Sequence, residues 1–222
     1  MLFLHGYLSC KESFSYQIKY FSRFFRVVAV DMTGFGNSPM MKKPYSLDDY
    51  AAEISSVIDT LNVKKVDIIA HSFGARVLVR LLKTDDRIDK IVLTGAAGLK
   101  PRRTVKYVLN KLKFNALSHF IPREKLKKYY SEDYNSLNDV MKESFKLIIG
   151  DRLDEEYKKI KNETLLVFGK DDRETPLYAA KRMRKYIKNS KLKVLPHAGH
   201  FCFCEFPNEF NGVVFSFLTG GL

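Results

Sequence analysis

Ile69-Ala70-His71-Ser72-Phe73-Gly74-Ala75 follows an apolar run and precedes a helix-like pattern. A small residue, any residue, serine, any residue and glycine between a buried strand and a helix describe a tight elbow, where the backbone folds back sharply and the flanking residues must be small. Ala70 and Gly74 meet that condition. Such a turn holds the Ser72 side chain above the sheet, and the first free amides of the following helix, aided by its dipole, favour a developing negative charge. A serine hydroxyl alone is a weak nucleophile and needs a base. If Ser72 were only a helix cap, it would need no partner elsewhere in the chain.

Outward from the elbow, apolar runs alternate with helical periodicities, the pattern of a parallel sheet covered on both faces. The expected strands are Met1–Leu4, Val27–Val30, Val66–Ala70, Ile88–Thr94, Leu165–Phe168 and Leu192–Leu195. One amphipathic stretch carries Leu47, Tyr50, Ala51, Ile54, Val57, Ile58 and Leu61 on a stripe, opened by Ser46 with Asp49 in the position of a capping-box acid. Another carries Phe206, Phe210, Val213, Val214, Phe217 and Leu218, with Pro207 near its start and Gly220 beyond its end.

The alternation breaks from about Leu99 to Asn162, where helical stripes occur without a convincing strand. Val105, Val108, Leu109 and Leu112 form one, and Leu137, Val140, Met141, Phe145 and Ile148 another. The expected organisation is therefore a body of residues 1–98 and 163–222, with residues 99–162 as a helical cap inserted after the strand ending near Thr94. With 222 residues and 45% hydrophobic content, the chain can bury one good core but not two full domains.

Net charge is +13 and unevenly spread. Ten basic residues between Lys100 and Lys128 face the single acid Glu124, and a second cluster runs from Lys181 to Lys193 with no acid. No nucleic-acid-binding motif accompanies this charge, so no nucleic-acid partner is expected and a solvated lysine-rich face is the plain reading. A weak association of the basic cap with an anionic membrane surface is the functional alternative. No apolar run is long enough to span a bilayer and no signal peptide opens the chain, so a soluble, cytoplasmic protein is expected. Cys10, Cys202 and Cys204 are too few for a disulfide framework. His200, Cys202 and Cys204 would share a face if their segment were extended, but three ligands on one short segment make a poor metal site, and none is expected.

Partners for Ser72 do appear after other strands. Gly169-Lys170-Asp171-Asp172-Arg173-Glu174-Thr175-Pro176 presents an acid, Asp171 or Asp172, before a helix that Pro176 can open. Pro196-His197-Ala198-Gly199-His200 follows the last strand and offers two imidazoles, while His5-Gly6-Tyr7 follows the first. In an open parallel sheet these loops emerge together at the carboxyl ends of the strands.

These motifs, HGY (His5–Tyr7), DMTGFGNS (Asp31–Ser38), AHSFGA (Ala70–Ala75), VFGKDDRETP (Val167–Pro176) and AGHFCFCEFP (Ala198–Pro207), stand in the order in which the α/β-hydrolases carry theirs. Over essentially its whole length the chain resembles that family. The resemblance implies an α/β fold with Ser72 as nucleophile, His200 as general base and then acid, and an aspartate orienting His200. Gly169, Asp172 and Pro176 fit the register of the family's acid turn, which selects Asp172 over Asp171, and the Gly199-His200 pair selects His200 over His197. It further implies an oxyanion hole made by the backbone N–H groups of Tyr7 and Phe73, no cofactor, and a small-molecule acyl substrate cleaved at an ester-type bond through an acyl-enzyme. A serine at the elbow argues against the dehalogenase branch. Amide, thioester and carbon–carbon bond hydrolysis and perhydrolysis are the other chemistries of the family. A binding or sensing protein on the same fold is the contrasting class.

His5 is expected to shape the first loop, His119 to lie on the surface of the cap, and Asp31 to order the Gly34–Ser38 loop through hydrogen bonds to its backbone. The glycines of that loop lack the longer phosphate-binding fingerprint. Family members commonly carry two further strands before the one ending in His-Gly. Without them the strand Val27–Val30 is expected at an exposed sheet edge, an invitation to homodimerisation. The missing pair is expected upstream in the same reading frame; otherwise the chain should be marginally stable.

Overall fold

The structure, a computed structural model, describes residues 1–101 and 132–222. The first cap stripe (Val105 to Leu112), His119 and nearly all of the Lys100–Lys128 basic cluster lie outside the described residues.

Six strands form one parallel sheet: β1 (Leu2–Leu4), β2 (Val28–Val30), β3 (Val66–His71), β4 (Ile88–Thr94), β5 (Thr164–Gly169) and β6 (Ser190–Leu195). Their spatial order is β2-β1-β3-β4-β5-β6. Each lies within two residues of its sequence expectation; the four inner strands, buried on both faces over most of their length, are written as apolar runs. The chain leaves β1 for β2 on one side and then crosses to β3 on the other. The crevice outside β1 and β3 is thus the switch point at which ligands bind in such sheets. Among the described strands β2 pairs only with β1, so Val28–Val30 lies at an edge as expected.

Side-chain alternation along the strands sorts the core into two layers. Leu2, Leu4, Ile68, Ala70, Ile91, Leu93, Leu166 and Phe168 face one layer, closed by α2 (Leu47–Leu61), α3 (Phe73–Leu81), α6 (Asp154–Lys159) and α7 (Leu177–Tyr186). Phe3, Ile69, Val92, Leu165 and Val167 face the other, closed by α1 (Ser15–Phe21) and α9 (Pro207–Leu218). This second layer is rich in rings, with Phe14 stacked on Phe203 at 4.6 Å.

Local rules set the helix ends. Ser46 and Asp49 form the expected capping box of α2, the Asp49 N–H donating to Ser46 Oγ at 3.2 Å and the Ser46 N–H to Asp49 Oδ2 at 2.8 Å. Pro207 opens α9. Between β4 and β5 lie α4 (Glu132–Ser136), α5 (Asp139–Gly150) and α6. Asn138 caps α5 by accepting from the Met141 N–H at 2.8 Å. The stripe read from the sequence turns inward along α5, with Met141 and Ile148 buried. Leu153 and Tyr157 are fully buried in the body's core, and the Tyr157 hydroxyl donates to Ala97 O at 2.7 Å. The segment after His200 is not extended. It forms the short helix α8 (Cys202–Glu205), which turns Cys202 toward Thr94 and Cys204 toward Ser13, so His200 and the two cysteines share no face.

Candidate active site

β3 ends at His71 and α3 begins at Phe73, which leaves Ser72 alone to make the turn, at φ 48° and ψ −104°. A non-glycine residue there is strained by about 1–3 kcal/mol and needs its surroundings to hold it. The Ser72 N–H donates to Thr94 O at 3.1 Å, and its carbonyl accepts from the Ala97 N–H at 3.3 Å. A Cβ on Gly74 would run into the carbonyls of Leu4 and His5, so only glycine lets α3 start this close to β1. The Ser72 side chain is half-buried, and its hydroxyl is committed to no hydrogen bond among the described residues.

The loops after β5 and β6 bring an acid and a base together. Asp172 is buried, and its Oδ1 accepts from the N–H groups of Glu174 at 2.9 Å and Thr175 at 2.8 Å. Its Oδ2 accepts from Thr175 Oγ1 at 2.7 Å and from His200 Nδ1 at 2.9 Å. Burial by itself would raise this carboxyl; the hydrogen bonds from His200 and Thr175 outweigh it and hold Asp172 below the ordinary carboxylate range. Asp172 thus both shapes its own turn and faces the imidazole, whereas Asp171 and His197 are exposed. With Nδ1–H donated to Asp172, His200 keeps Nε2 as its free nitrogen. The ring lies beside the end of β4, where a Cβ on Gly95 would come within 3.0 Å of it, and 4.7 Å from the ring of His71 next to Ser72.

The loop after β1 closes the other side. A Cβ on Gly6 would stand 3.7 Å from that of Ser72, so the main chain of this loop passes directly over the elbow. His5 is fully buried and shapes the loop as expected, Nδ1 donating to Gly6 O at 2.7 Å and Nε2 accepting from the Met32 N–H at 3.1 Å. Neither the Tyr7 nor the Phe73 N–H has a hydrogen-bond partner among the described residues. The Tyr7 ring packs against Phe35, Phe73 and Phe145 at 5.0, 5.5 and 5.2 Å, and its hydroxyl donates to Met141 O at 3.3 Å. Burial pushes that hydroxyl up to about 12. Asp31 holds the Gly34–Ser38 loop as expected, accepting from the Asn37 N–H at 3.0 Å, and it also takes Lys11 Nζ at 2.5 Å.

Two neighbours went unread in the sequence. Thr175, three residues after Asp172, could have been found from the spacing of a side-chain-closed turn. His71 could have been found from alternation, since it shares the sheet face of Ile69 and so points into the packed layer. Among the described residues no group of three or more His, Cys, Asp or Glu side chains could hold a metal, and no helix is long and apolar enough to cross a membrane.

The pattern that defines the alpha/beta hydrolase family matches residues 1–213. The chain belongs to that family. Hydrolase chemistry follows from this membership; the bond cleaved does not. The chain is 25% identical over 224 residues to a 2-hydroxy-6-oxo-2,4-heptadienoate hydrolase of Pseudomonas putida, covering 89% of this chain and 80% of that one. It superposes on a meta-cleavage product hydrolase of Pseudomonas fluorescens IP01 with a TM-score of 0.74 at 26% identity, covering 100% of this chain and 90% of that one. An esterase of Exiguobacterium antarcticum shares the fold, with a TM-score of 0.78 at 23% identity over 98% of this chain and 91% of the esterase.

Proposed function

We propose that this hydrolase cleaves an ester-type bond of a small acyl compound through Ser72, His200 and Asp172. Ser72 Oγ adds to the acyl carbonyl as His200 Nε2 takes its proton. The tetrahedral oxyanion is met by the N–H groups of Tyr7 and Phe73. As the carbon–oxygen bond to the leaving group breaks, His200 returns the proton to that oxygen. Water, deprotonated by His200, then releases the acid from the acyl-enzyme. Asp172 stays ionised and keeps the imidazole in the tautomer and orientation this sequence needs. The observation that supports the reading best is the 2.9 Å contact between Asp172 and His200 beside a strained serine turn with unpaired amides. Purified Ser72→Ala should lose about 10⁴-fold or more in kcat on short p-nitrophenyl esters. Parent-like turnover in that variant would overturn the assignment.

Carbon–carbon bond hydrolysis of an unsaturated oxo acid is a second reading, favoured by the names of the Pseudomonas relatives. Side-by-side kcat/KM values for a 2-hydroxy-6-oxodienoate and an ester panel decide between the two. A non-catalytic sensor would leave Ser72 of folded protein unlabelled by a fluorophosphonate. In this reading the cap over the pocket lies within residues 99–162 and includes α5, supported by the Tyr7 contact, while α6 packs on the body, and the protein works in the cytoplasm. Docking of the basic cap on anionic lipid and dimerisation through β2 are proposals of the same standing. Liposome sedimentation at low and high salt tests the first, and light scattering the second.

A further inference from the structure

His71 is the last residue of β3, 1% exposed, and holds an imidazole in a place where the alternation of the strand calls for a hydrocarbon. Its ring is packed against Phe201 and Phe203, both at 4.9 Å between centroids, and against His200 at 4.7 Å. Nε2 lies 3.2 Å from the main-chain oxygen of His200. A carbonyl oxygen can only accept, so Nε2 carries the proton and donates. Nδ1 is then a bare lone pair. It is buried with no partner, and a Cβ on Gly6 would stand 2.8 Å from it. Leaving such an acceptor unpaired costs about 1–3 kcal/mol, a cost that a phenylalanine filling the same space would avoid. The imidazole therefore stabilises something other than the core.

What it touches indicates what that is. On one side stands the loop that carries the Tyr7 amide, on the other the peptide of His200, and the next residue in the chain is Ser72. Resting on the roles proposed above for Ser72 and His200, we propose that His71 is a positioning residue: by donating Nε2–H to the main-chain oxygen of His200, it ties the peptide of the base to the strand end that carries the nucleophile. Asp172 fixes the imidazole of His200 from its Nδ1 side, and His71 fixes the backbone from which that imidazole hangs. Two anchors determine where Nε2 points. Reacting groups held in near-attack geometry lose about 100-fold for a displacement of about 1 Å, so one hydrogen bond to the peptide of the base has a catalytic consequence. The titratable groups facing His71 are His200, Asp172 and His5. Burial first, and His200 second, push the His71 imidazole down to about 3, so near neutral pH the ring stays neutral and the donor stays in place.

Two measurements test this. In parent protein labelled with ¹⁵N-histidine, the His71 ring should appear as the Nε2–H tautomer and should not titrate between about pH 5 and pH 8, the range in which an ordinary histidine does. An Nδ1–H tautomer or a titrating ring would overturn the proposal without reference to turnover. Second, ester hydrolysis is measured per site titrated with a fluorophosphonate. His71→Phe keeps the volume and removes the donor, so kcat should fall by about 10- to 100-fold with KM nearly unchanged. His71→Gln places an amide N–H at similar reach and should recover most of the loss. Equal kcat per titrated site in His71→Phe and the parent would mean that the ring only packs, and the proposal would fall. If His71→Phe does not fold, the ring spectrum and His71→Gln decide, and a Gln variant as slow as a fully misaligned site counts against it. No labelling of Ser72 in the parent removes the functional reading and this inference together, whereas labelling equally fast in parent and His71→Phe removes only the inference.

Discussion

Two loops of this protein each bury an aspartate at the carboxyl end of a strand, and their partners differ in one respect. After β2, Asp31 accepts from the N–H groups of Lys11 at 2.7 Å and Asn37 at 3.0 Å and from the Lys11 ammonium. After β5, Asp172 accepts from two N–H groups, a hydroxyl and the His200 imidazole. Both carboxyls are pushed up by burial and pulled further down by these donors, Asp31 to about 2. The cages are alike. A lysine, however, keeps its proton at any working pH, while an imidazole can give one up and take it back. The first loop is therefore a fixed strut, whereas under the proposed mechanism the second orients a group that exchanges protons, and neither aspartate alone reveals the difference.

Asp172→Asn is expected to lower kcat per folded molecule by about 10³- to 10⁴-fold, because the amide favours the wrong tautomer of His200, and to cost about 1–3 kcal/mol in denaturant unfolding, because its cage is of the same kind. Asp31→Asn should cost a similar amount of stability and change kcat per folded molecule only a few-fold. If the two variants lose activity equally, the distinction fails. Gly36→Ala sharpens the strut side: its φ is +54°, and a Cβ there would press into the Asp31 carboxylate, so about 1–2 kcal/mol should be lost without any change in the pH profile of turnover.

Acid unfolding separates the contributions by pH window. A carboxyl held low in the folded state contributes stability that is fully present above its unfolded value of about 4 and is lost as pH falls through the folded value. For Asp31 that window runs down toward about 2, and Asp31→Asn should flatten the parent's loss of stability within it. His71 acts in a higher window. Below its unfolded value of about 6.5 the unfolded chain binds a proton that the folded chain, with the group at about 3, refuses, so stability falls as pH falls between those values. His71→Gln should reduce that slope to the part that buried His5, also held low, contributes, and leave the Asp31 window in place, as read by urea midpoints at successive pH values.

Most of the scaffold could be read from the chain because its signals are local. Strands buried on both faces are contiguous apolar runs, and the cap of α2 is a four-residue pattern. The turn Lys11–Phe14 and helix α1 went unread: Phe14, Gln17 and Phe21 turn inward, yet Tyr16 and Phe24 put rings on the outer side and blur the stripe. At the site, Ser72, Asp172 and His200 were legible through motif order, since each follows its own strand. What joins them was not legible. The Thr175 hydroxyl on Asp172, the lone pair of His71 and the passage of Gly6 over the elbow are meetings of residues distant in the chain or of main-chain atoms, which residue identity does not encode.

The helix that follows Ser72, α3, also bears Arg76 and Arg80, one and two turns further on. The Arg76 guanidinium donates from Nη1 to the carbonyls of Ile148 at 2.9 Å and Asp151 at 3.0 Å, at the end of α5, and Arg80 pairs with the Asp151 carboxylate and with Glu156. Because α5 meets the Tyr7 hydroxyl at its other end, it is tethered at both extremities to parts flanking the reacting atoms. Under the proposed mechanism, sliding this helix to admit a bulkier guest would drag on the shaft beneath the Ser72 oxygen. On that reading, engineering a roomier binding chamber here carries a mechanical penalty on turnover unless the guanidinium tethers are redesigned with it.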